Sequence, residues 1–234
     1  YNQITSQLAK IHNRTDKQYT VPVTIRIPYG GVIGSVEHHS ESPEALFAHT
    51  AGLRIVTPST PHEAYWMTRK AIECSDPVII FEPKRRYWLK GEVDFSDTSF
   101  DPFSAQVVRE GTDATIVAYG PLVPVALAAA EAAVEDGRSI EVIDLRSISP
   151  LDVPTVAASV AKTGRLIVAH EAPTFGGMGG ELAAAITERC FYSLQAPVIR
   201  VGGYYMPYPV SRVEEEYVPD IDRILEAVDR AFDY

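Results

Sequence analysis

Two adjacent histidines stand among carboxylates in Glu37-His38-His39-Ser40-Glu41-Ser42-Pro43-Glu44-Ala45. They follow a segment broken by proline and glycine, Pro28-Tyr29-Gly30-Gly31-Val32-Ile33-Gly34. Imidazole titrates near neutral pH, so a histidine placed here is suited to taking up and giving back a proton. Ser42 is a good helix N-cap, Pro43 suits a first helical position, and Glu44 complements the positive helix end. The pattern predicts a strand end, a mobile glycine loop, and the two histidines in a loop at the mouth of a helix. A solvated polar loop without chemistry is the bland alternative, and the surrounding chain argues against it.

Other segments carry weaker signals. Phe175-Gly176-Gly177-Met178-Gly179-Gly180-Glu181 separates a predicted strand from a predicted helix, where N–H groups could face a phosphate. It lacks the G-x-G-x-x-G order, an acidic residue placed for a ribose, and a P-loop lysine. Close packing against a neighbouring subunit is the better reading, because glycine permits close backbone approach. Glu171 stands at the C-terminal end of a predicted strand, where open α/β sheets collect functional groups. A carboxylate that hydrogen-bonds the adjacent glycine loop is the competing and preferred reading. Lys84-Arg85-Arg86-Tyr87-Trp88 could hold an anion or a base by charge and stacking, but an interface patch or support for the histidine loop fits better. Asp76 follows a helix end, whose orphan carbonyls could bind a cation. G-x-S-x-G, H-E-x-x-H and Cys/His zinc spacings are all missing.

The elements that must position these residues are bounded by composition. The chain has 234 residues, 46% apolar and 22% charged, enough for one large or two modest domains with packed cores. Twenty-one basic residues against 31 acidic ones give a net charge of -10, which argues against a nucleic-acid binder and permits a basic partner protein. Cys74 and Cys190 lack metal spacing and read as reduced thiols in a cytosolic or matrix-like compartment, with a bacterial cytoplasm expected ahead of a mitochondrial matrix. No run is apolar enough to span a membrane, and no signal peptide is expected. Tyr1 leads straight into a helical pattern with Ile4, Leu8 and Ile11 on one face, so the chain is expected to open inside a domain.

Periodicity predicts strands at 21–27, 53–56 and 77–81, with helices starting at Pro43 and at Pro61 behind a Thr60 cap. Residues 84–103 show no regular pattern and read as an inter-domain linker. Thereafter strands at 114–119, 140–145, 165–169 and 198–201 alternate with helices at 121–136, 152–162, 180–189 and 220–232. Such alternation means a mostly parallel sheet covered on both faces, an α/β fold.

The chain resembles the beta subunits of thiamine-diphosphate-dependent 2-oxoacid dehydrogenases, the decarboxylating component of the pyruvate and branched-chain complexes. The resemblance runs over essentially the whole chain. It is carried by Val23-Thr24-Ile25-Arg26, Pro28-Tyr29-Gly30-Gly31, His39-Ser40-Glu41-Ser42-Pro43-Glu44, Val56-Thr57-Pro58-Ser59-Thr60-Pro61, Phe81-Glu82-Pro83-Lys84, Val142-Ile143-Asp144-Leu145-Arg146-Ser147, His170-Glu171-Ala172 and Ala196-Pro197-Val198-Ile199-Arg200-Val201. The His39–Glu44 and Phe81–Lys84 runs look more like the branched-chain enzymes. The resemblance implies a transketolase-like layout: residues 1–83 as the C-terminal part of a pyrimidine-binding domain, 84–103 as linker, and 104–234 as the C-terminal domain. It implies an α2β2 assembly in which the alpha subunit supplies the site for magnesium and diphosphate, and docking on a lipoyl acyltransferase core. It makes His39 the active-site histidine, with His38 as its tuning neighbour. It also implies a potassium site formed at Val21, Val23, Thr24, Ala71, Cys74 and Asp76. The family's pyrimidine-contacting glutamate falls before the position matching Tyr1, so the chain is expected to need a further segment and an alpha partner for thiamine diphosphate. A pyruvate or acetoin enzyme, and a non-catalytic assembly module, are the rival readings.

Overall fold

The computed structural model describes all 234 residues. The chain opens with an irregular helix of π and 3-10 turns, Gln3–Gln7 and Leu8–Lys10, that becomes regular in α1 (Ile11–Arg14). The predicted apolar face survives, with Ile4, Leu8 and Ile11 each half-buried. Strand β1 (Thr24–Tyr29), the short helices α2 (Glu37–Ser40) and α3 (Glu44–Ala48), strand β2 (Arg54–Val56), helix α4 (Pro61–Glu73) and strand β3 (Val78–Pro83) follow. β3 lies between β1 and β2, parallel to both, and all six of its residues are buried. That placement explains its nearly unbroken apolar sequence. β1 runs past its predicted end at Pro28 because it is an edge strand, where a missing N–H leaves no ladder bond unmade. Helix α4 starts as predicted: the Glu63 N–H donates to Thr60 Oγ1 (3.1 Å), and Pro61 is its first residue.

Residues 84–103 hold one 3-10 turn, Lys84–Arg86, and no strand. They are nonetheless packed. Phe100 is buried against Trp66 and Met67 of α4, and Trp66 Nε1 donates to the Asp94 carbonyl (2.8 Å). The expectation of a segment without a regular core therefore missed an apolar anchor at Phe100.

The remaining elements are β4 (Gln106–Arg109), β5 (Ala114–Ala118), α5 (Val123–Ala132), β6 (Ile140–Asp144), β7 (Ser147–Ser149), α6 (Val153–Thr163), β8 (Leu166–Pro173), α7 (Met178–Cys190), β9 (Ile199–Gly203), α8 (Glu214–Tyr217) and α9 (Ile221–Phe232). The second sheet has the order β4-β6-β5-β8-β9, parallel except for β4. Asp152 and Asp220 cap α6 and α9 through the Thr155 and Arg223 N–H groups. Gly137 and Gly164 end the α5 and α6 segments at φ +72° and +73°, the left-handed stop that glycine takes without steric cost.

Strand β7 joins the other sheet, antiparallel to β2. The second part of the chain thus completes the first sheet, and one apolar core runs through both: Tyr29, Phe47 and Phe81 pack in the same cluster as Val117, Tyr119 and Val168. No helix is long and apolar enough to cross a membrane.

Candidate active site

Strand β1 ends in Tyr29, which is buried edge-on against Phe81 and shares a hydrogen bond with Thr57 Oγ1 (3.0 Å). From this fixed end the chain enters the glycine loop. Gly30, Val32 and Gly34 take φ of +82°, +58° and +74°. A β-branched residue is rarely left-handed, and holding Val32 there costs on the order of 1–3 kcal/mol. After Ser35 and Val36 the chain makes α2, so the histidines ride on one helical turn rather than in the predicted loop. The His39 N–H donates to the Val36 carbonyl (3.0 Å) and closes that turn. Both imidazoles are exposed, with ring centroids 6.2 Å apart, and Glu37 Oε1 lies 3.6 Å from His38 Nδ1.

The predicted capping of the next helix is not observed. Pro43 occupies the N-cap of α3 and no side chain caps it. Ser42 lies one residue too early, and its hydroxyl is buried without a hydrogen bond. Glu44 begins α3, but its side chain turns inward and is fully buried, where the Tyr119 hydroxyl donates to Oε1 (2.7 Å). Burial pushes its carboxyl up to about 7, against the hydrogen bond from Tyr119. At neutral pH it is therefore only partly ionised and gives the helix end little of the predicted charge.

A cleft of about 240 Å³ opens beside the histidine turn. It is lined by Ser40, Ser42, Leu46, Glu171, Phe175 and Tyr208 among others, and by neither histidine. Glu171 does not bond the adjacent glycine loop, as expected, but the other one: the Gly31 N–H donates to its Oε1 (2.6 Å). Burial raises its carboxyl, opposed by Arg85, whose Nη2 is 3.4 Å from Oε2, and by the Gly31 N–H. Arg85 also donates to the Pro121 carbonyl (3.1 Å). The basic run at 84–88 thus contributes one arginine that supports the glycine loop through Glu171, while Trp88 is left exposed.

Two functional-looking residues gave no sequence signal. Tyr208 and Glu214 come from the segment between β9 and α9. The Val32 N–H donates to Tyr208 Oη (2.9 Å), and the Ile33 and Gly34 N–H groups donate to Glu214 Oε2 (3.3 Å) and Oε1 (2.7 Å). Glu214 is one of three consecutive glutamates, and nothing in the sequence separates it from Glu215 and Glu216.

The second glycine segment turns out to serve its own chain. His170 is completely buried and stacks on Tyr119, and its Nδ1 lies 2.9 Å from the Ala172 carbonyl. Burial lowers its imidazole to about 4, so it is neutral and Nδ1–H donates. A Cβ on Gly177 would fall 2.7 Å from the His170 ring and 2.4 Å from the Pro173 carbonyl, and one on Gly179 would fall 2.7 Å from Nε2. Gly177 and Gly179 make room for an uncharged histidine. Gly177→Ala is expected to destabilise the fold by about 1–3 kcal/mol through overpacking, checked by urea unfolding.

The residues of the implied potassium site gather where α4 ends. The Val21 N–H donates to the Ser75 carbonyl (2.8 Å), the Cys74 N–H to Ala71 (3.3 Å), and the Val78 N–H to Val23 (2.9 Å). Asp76 is engaged elsewhere, accepting from Arg54 Nε (2.8 Å) and facing His12 Nδ1 (2.9 Å). Burial opposes its charge, but these two hydrogen bonds outweigh it and hold the carboxyl below its ordinary value. Cys74 is a free, half-buried thiol with no oxygen to offer from its side chain.

Two family models match the chain: the transketolase pyrimidine-binding domain over residues 3–88 and the transketolase C-terminal domain over residues 104–224. Over its full length the chain is 58% identical to the pyruvate dehydrogenase E1 component subunit beta of Leifsonia xyli, covering 69% of that protein. The chain belongs to the beta subunits of the 2-oxoacid dehydrogenase E1 components. A second member of that family, the 3-methyl-2-oxobutanoate dehydrogenase subunit beta of Mycobacterium tuberculosis, is 50% identical over 98% of the chain. The chain spans about two thirds of these relatives' length, 69% and 66%. A split-gene transketolase, solved as an inactive beta4 tetramer, shares the fold at a TM-score of 0.74 and 26% identity, over 92% of this chain and 67% of that one. The resemblance and the transketolase-like α/β fold expected from the sequence are thereby established, and the family implies dependence on thiamine diphosphate.

Proposed function

We propose that this chain acts with an alpha subunit in the oxidative decarboxylation of branched-chain 2-oxoacids, and that His39 serves the transfer of the acyl group to a lipoyl group. The observation that carries the proposal is His39 standing exposed on a short helical turn, beside a cleft with an apolar wall, on a loop whose backbone is held at every N–H from Gly31 to Gly34. Leu46, Phe175 and Met206 in that cleft suit a branched aliphatic acyl chain better than a methyl group. The 58% identical relative named for pyruvate supports the alternative substrate.

The cleft does not fit a diphosphate. Its charged lining residues are Glu41 and Glu171, and no lysine or arginine lines it. Like charge would repel the phosphates, so the diphosphate and its magnesium are assigned to the alpha subunit, and no step through the cofactor is derived from these residues. A potassium ion there would be met by main-chain carbonyls, of Val21, Val23, Thr24, Ala71 and Cys74, while the Asp76 carboxylate is already paired with Arg54 and His12. The amphipathic closing helix α9, the exposed Tyr234 and the net charge of -10 support docking on a basic face of the acyltransferase core.

The test is native mass spectrometry of the chain, carried together with the further upstream segment that the resemblance calls for, mixed with an alpha subunit, with and without thiamine diphosphate and magnesium. A heterotetramer that takes up the cofactor is expected; a chain that never pairs, or a pair that takes up none, would sink the proposal. Steady-state rates then decide the substrate: kcat/KM is expected to be higher for 3-methyl-2-oxobutanoate than for pyruvate, and the reverse order would make the pyruvate reading correct.

A further inference from the structure

The loop that precedes the histidine turn owes its shape to side chains more than 130 residues away in sequence. Tyr208 and Glu214 make a connected unit there. Tyr208 accepts from the Val32 N–H and donates its own hydroxyl proton to Glu214 Oε2 (3.1 Å), while Glu214 accepts from two further N–H groups. Three donors on one carboxylate, itself only 5% exposed, form a set of charge-assisted hydrogen bonds to consecutive backbone amides and a phenol.

We propose that Tyr208 and Glu214 are positioning residues that clasp the Val32–Gly34 backbone and thereby set where His39 stands. This inference rests on the reading of His39 as the acyl-transfer residue. Three observations support it. Val32 sits at φ +58°, a strained conformation that persists only where its surroundings over-determine it, and its own N–H is the one Tyr208 holds. Gly31 has no room for a side chain, since a Cβ there would fall 1.8 Å from Tyr208 Oη, so the phenol lies directly against the loop backbone. The lever is short: two residues, Ser35 and Val36, separate Gly34 from the turn that carries the histidines.

The clasp is also separable from the main core. Tyr208, Tyr217 and Val218 form their own small apolar cluster with Val32 packed on it, and the Tyr208 and Tyr217 rings meet edge-on at 4.9 Å. Removing a hydroxyl or a carboxylate here takes no side chain from the apolar cores of the two sheets, so the variants are expected to remain folded.

The experiment uses the assembly with its alpha subunit and the variants Tyr208→Phe, Glu214→Ala and Glu214→Gln, with His39→Ala alongside. Amide hydrogen exchange reads the loop, and single-turnover acylation of a lipoyl domain reads the chemistry. Tyr208→Phe and Glu214→Ala are expected to speed exchange at Val32–Gly34 and to lower kcat for acylation about 10- to 100-fold, since a small misplacement of a reacting group costs that much. Thiamine diphosphate affinity stays unchanged, and Glu214→Gln, which keeps an acceptor oxygen, recovers part of both losses. Unchanged exchange overturns the clasp. Faster exchange with unchanged acylation, while His39→Ala slows it, overturns the positioning role and leaves the reading of His39 standing. A His39→Ala assembly that acylates at the normal rate overturns that reading and the positioning role with it, while the exchange data still report whether the clasp exists.

Discussion

His39→Ala is expected to slow acylation of a lipoyl domain by about 10²-fold or more, the usual contribution of a positioned proton donor, while thiamine diphosphate affinity holds. During transfer the S–S bond of the lipoyl ring breaks, one sulfur takes the acyl group, and the other takes a proton to become a thiol. An imidazole can supply that proton near neutral pH. His39 is exposed, so a group as large as a lipoyl domain can bring its ring to it without opening the core. Exposure also means that truncation leaves no cavity and breaks no buried hydrogen bond, which makes stability a poor explanation for any loss. His38 shares the turn but points its ring toward Glu37, 3.6 Å away, so His38→Ala is expected to cost less. Stopped-flow acylation together with a cofactor titration checks both variants. Loss of acylation and of cofactor affinity in equal measure would show that His39 holds the site together and does not act in transfer.

The parts of the fold that could be read from sequence are those whose signals are local. The Thr60-Pro61 start of α4, the Asp152 and Asp220 caps and the Gly137 stop all fall where residue type and backbone geometry agree within one turn. The buried strand β3 was legible because both faces are covered and every residue is apolar or satisfied. What the sequence hid depends on distant partners. β7 is three residues long, Ser147-Ile148-Ser149, and exists only because β2 offers an open edge. β4 carries no alternation that marks it before its antiparallel pairing with β6. The site shows the same division. The histidine turn could be found from its own residues, whereas its support from Tyr208 and Glu214 could not, since one glutamate among three differs from its neighbours only in what it touches. Glu44 illustrates the opposite error: its position suggested a charge for a helix end, and burial beside Tyr119 overrode the local rule.

That buried glutamate sets up a second large effect. Glu44 is held up to about 7 in the folded chain from an ordinary 4.5, so between those values the folded state keeps a proton that the unfolded chain releases. Its contribution is fully present below 4.5 and is lost as pH rises through 7, a change of roughly 3 kcal/mol at 1.36 kcal/mol per unit. His170 works in the other direction. Its imidazole falls to about 4 from 6.5, so its contribution is present above 6.5 and is lost as pH falls toward 4, again roughly 3 kcal/mol. Both side chains are wholly buried, so solvent screening does not reduce either effect. Between 4.5 and 6.5 the two slopes are opposite and nearly cancel, which leaves the native chain insensitive to this pair over that window. Glu44→Gln removes one slope and keeps an acceptor for the Tyr119 hydroxyl. The variant is expected to gain stability with rising pH across the window, relative to the native chain, by roughly 3 kcal/mol. Urea midpoints measured at both ends of the window give the answer, and comparing the two proteins at each pH removes every other titrating group that they share. Parallel profiles would mean that Glu44 is already ionised in the folded state, and the carboxylate would then need a cationic partner at its free Oε2, which the structure does not provide.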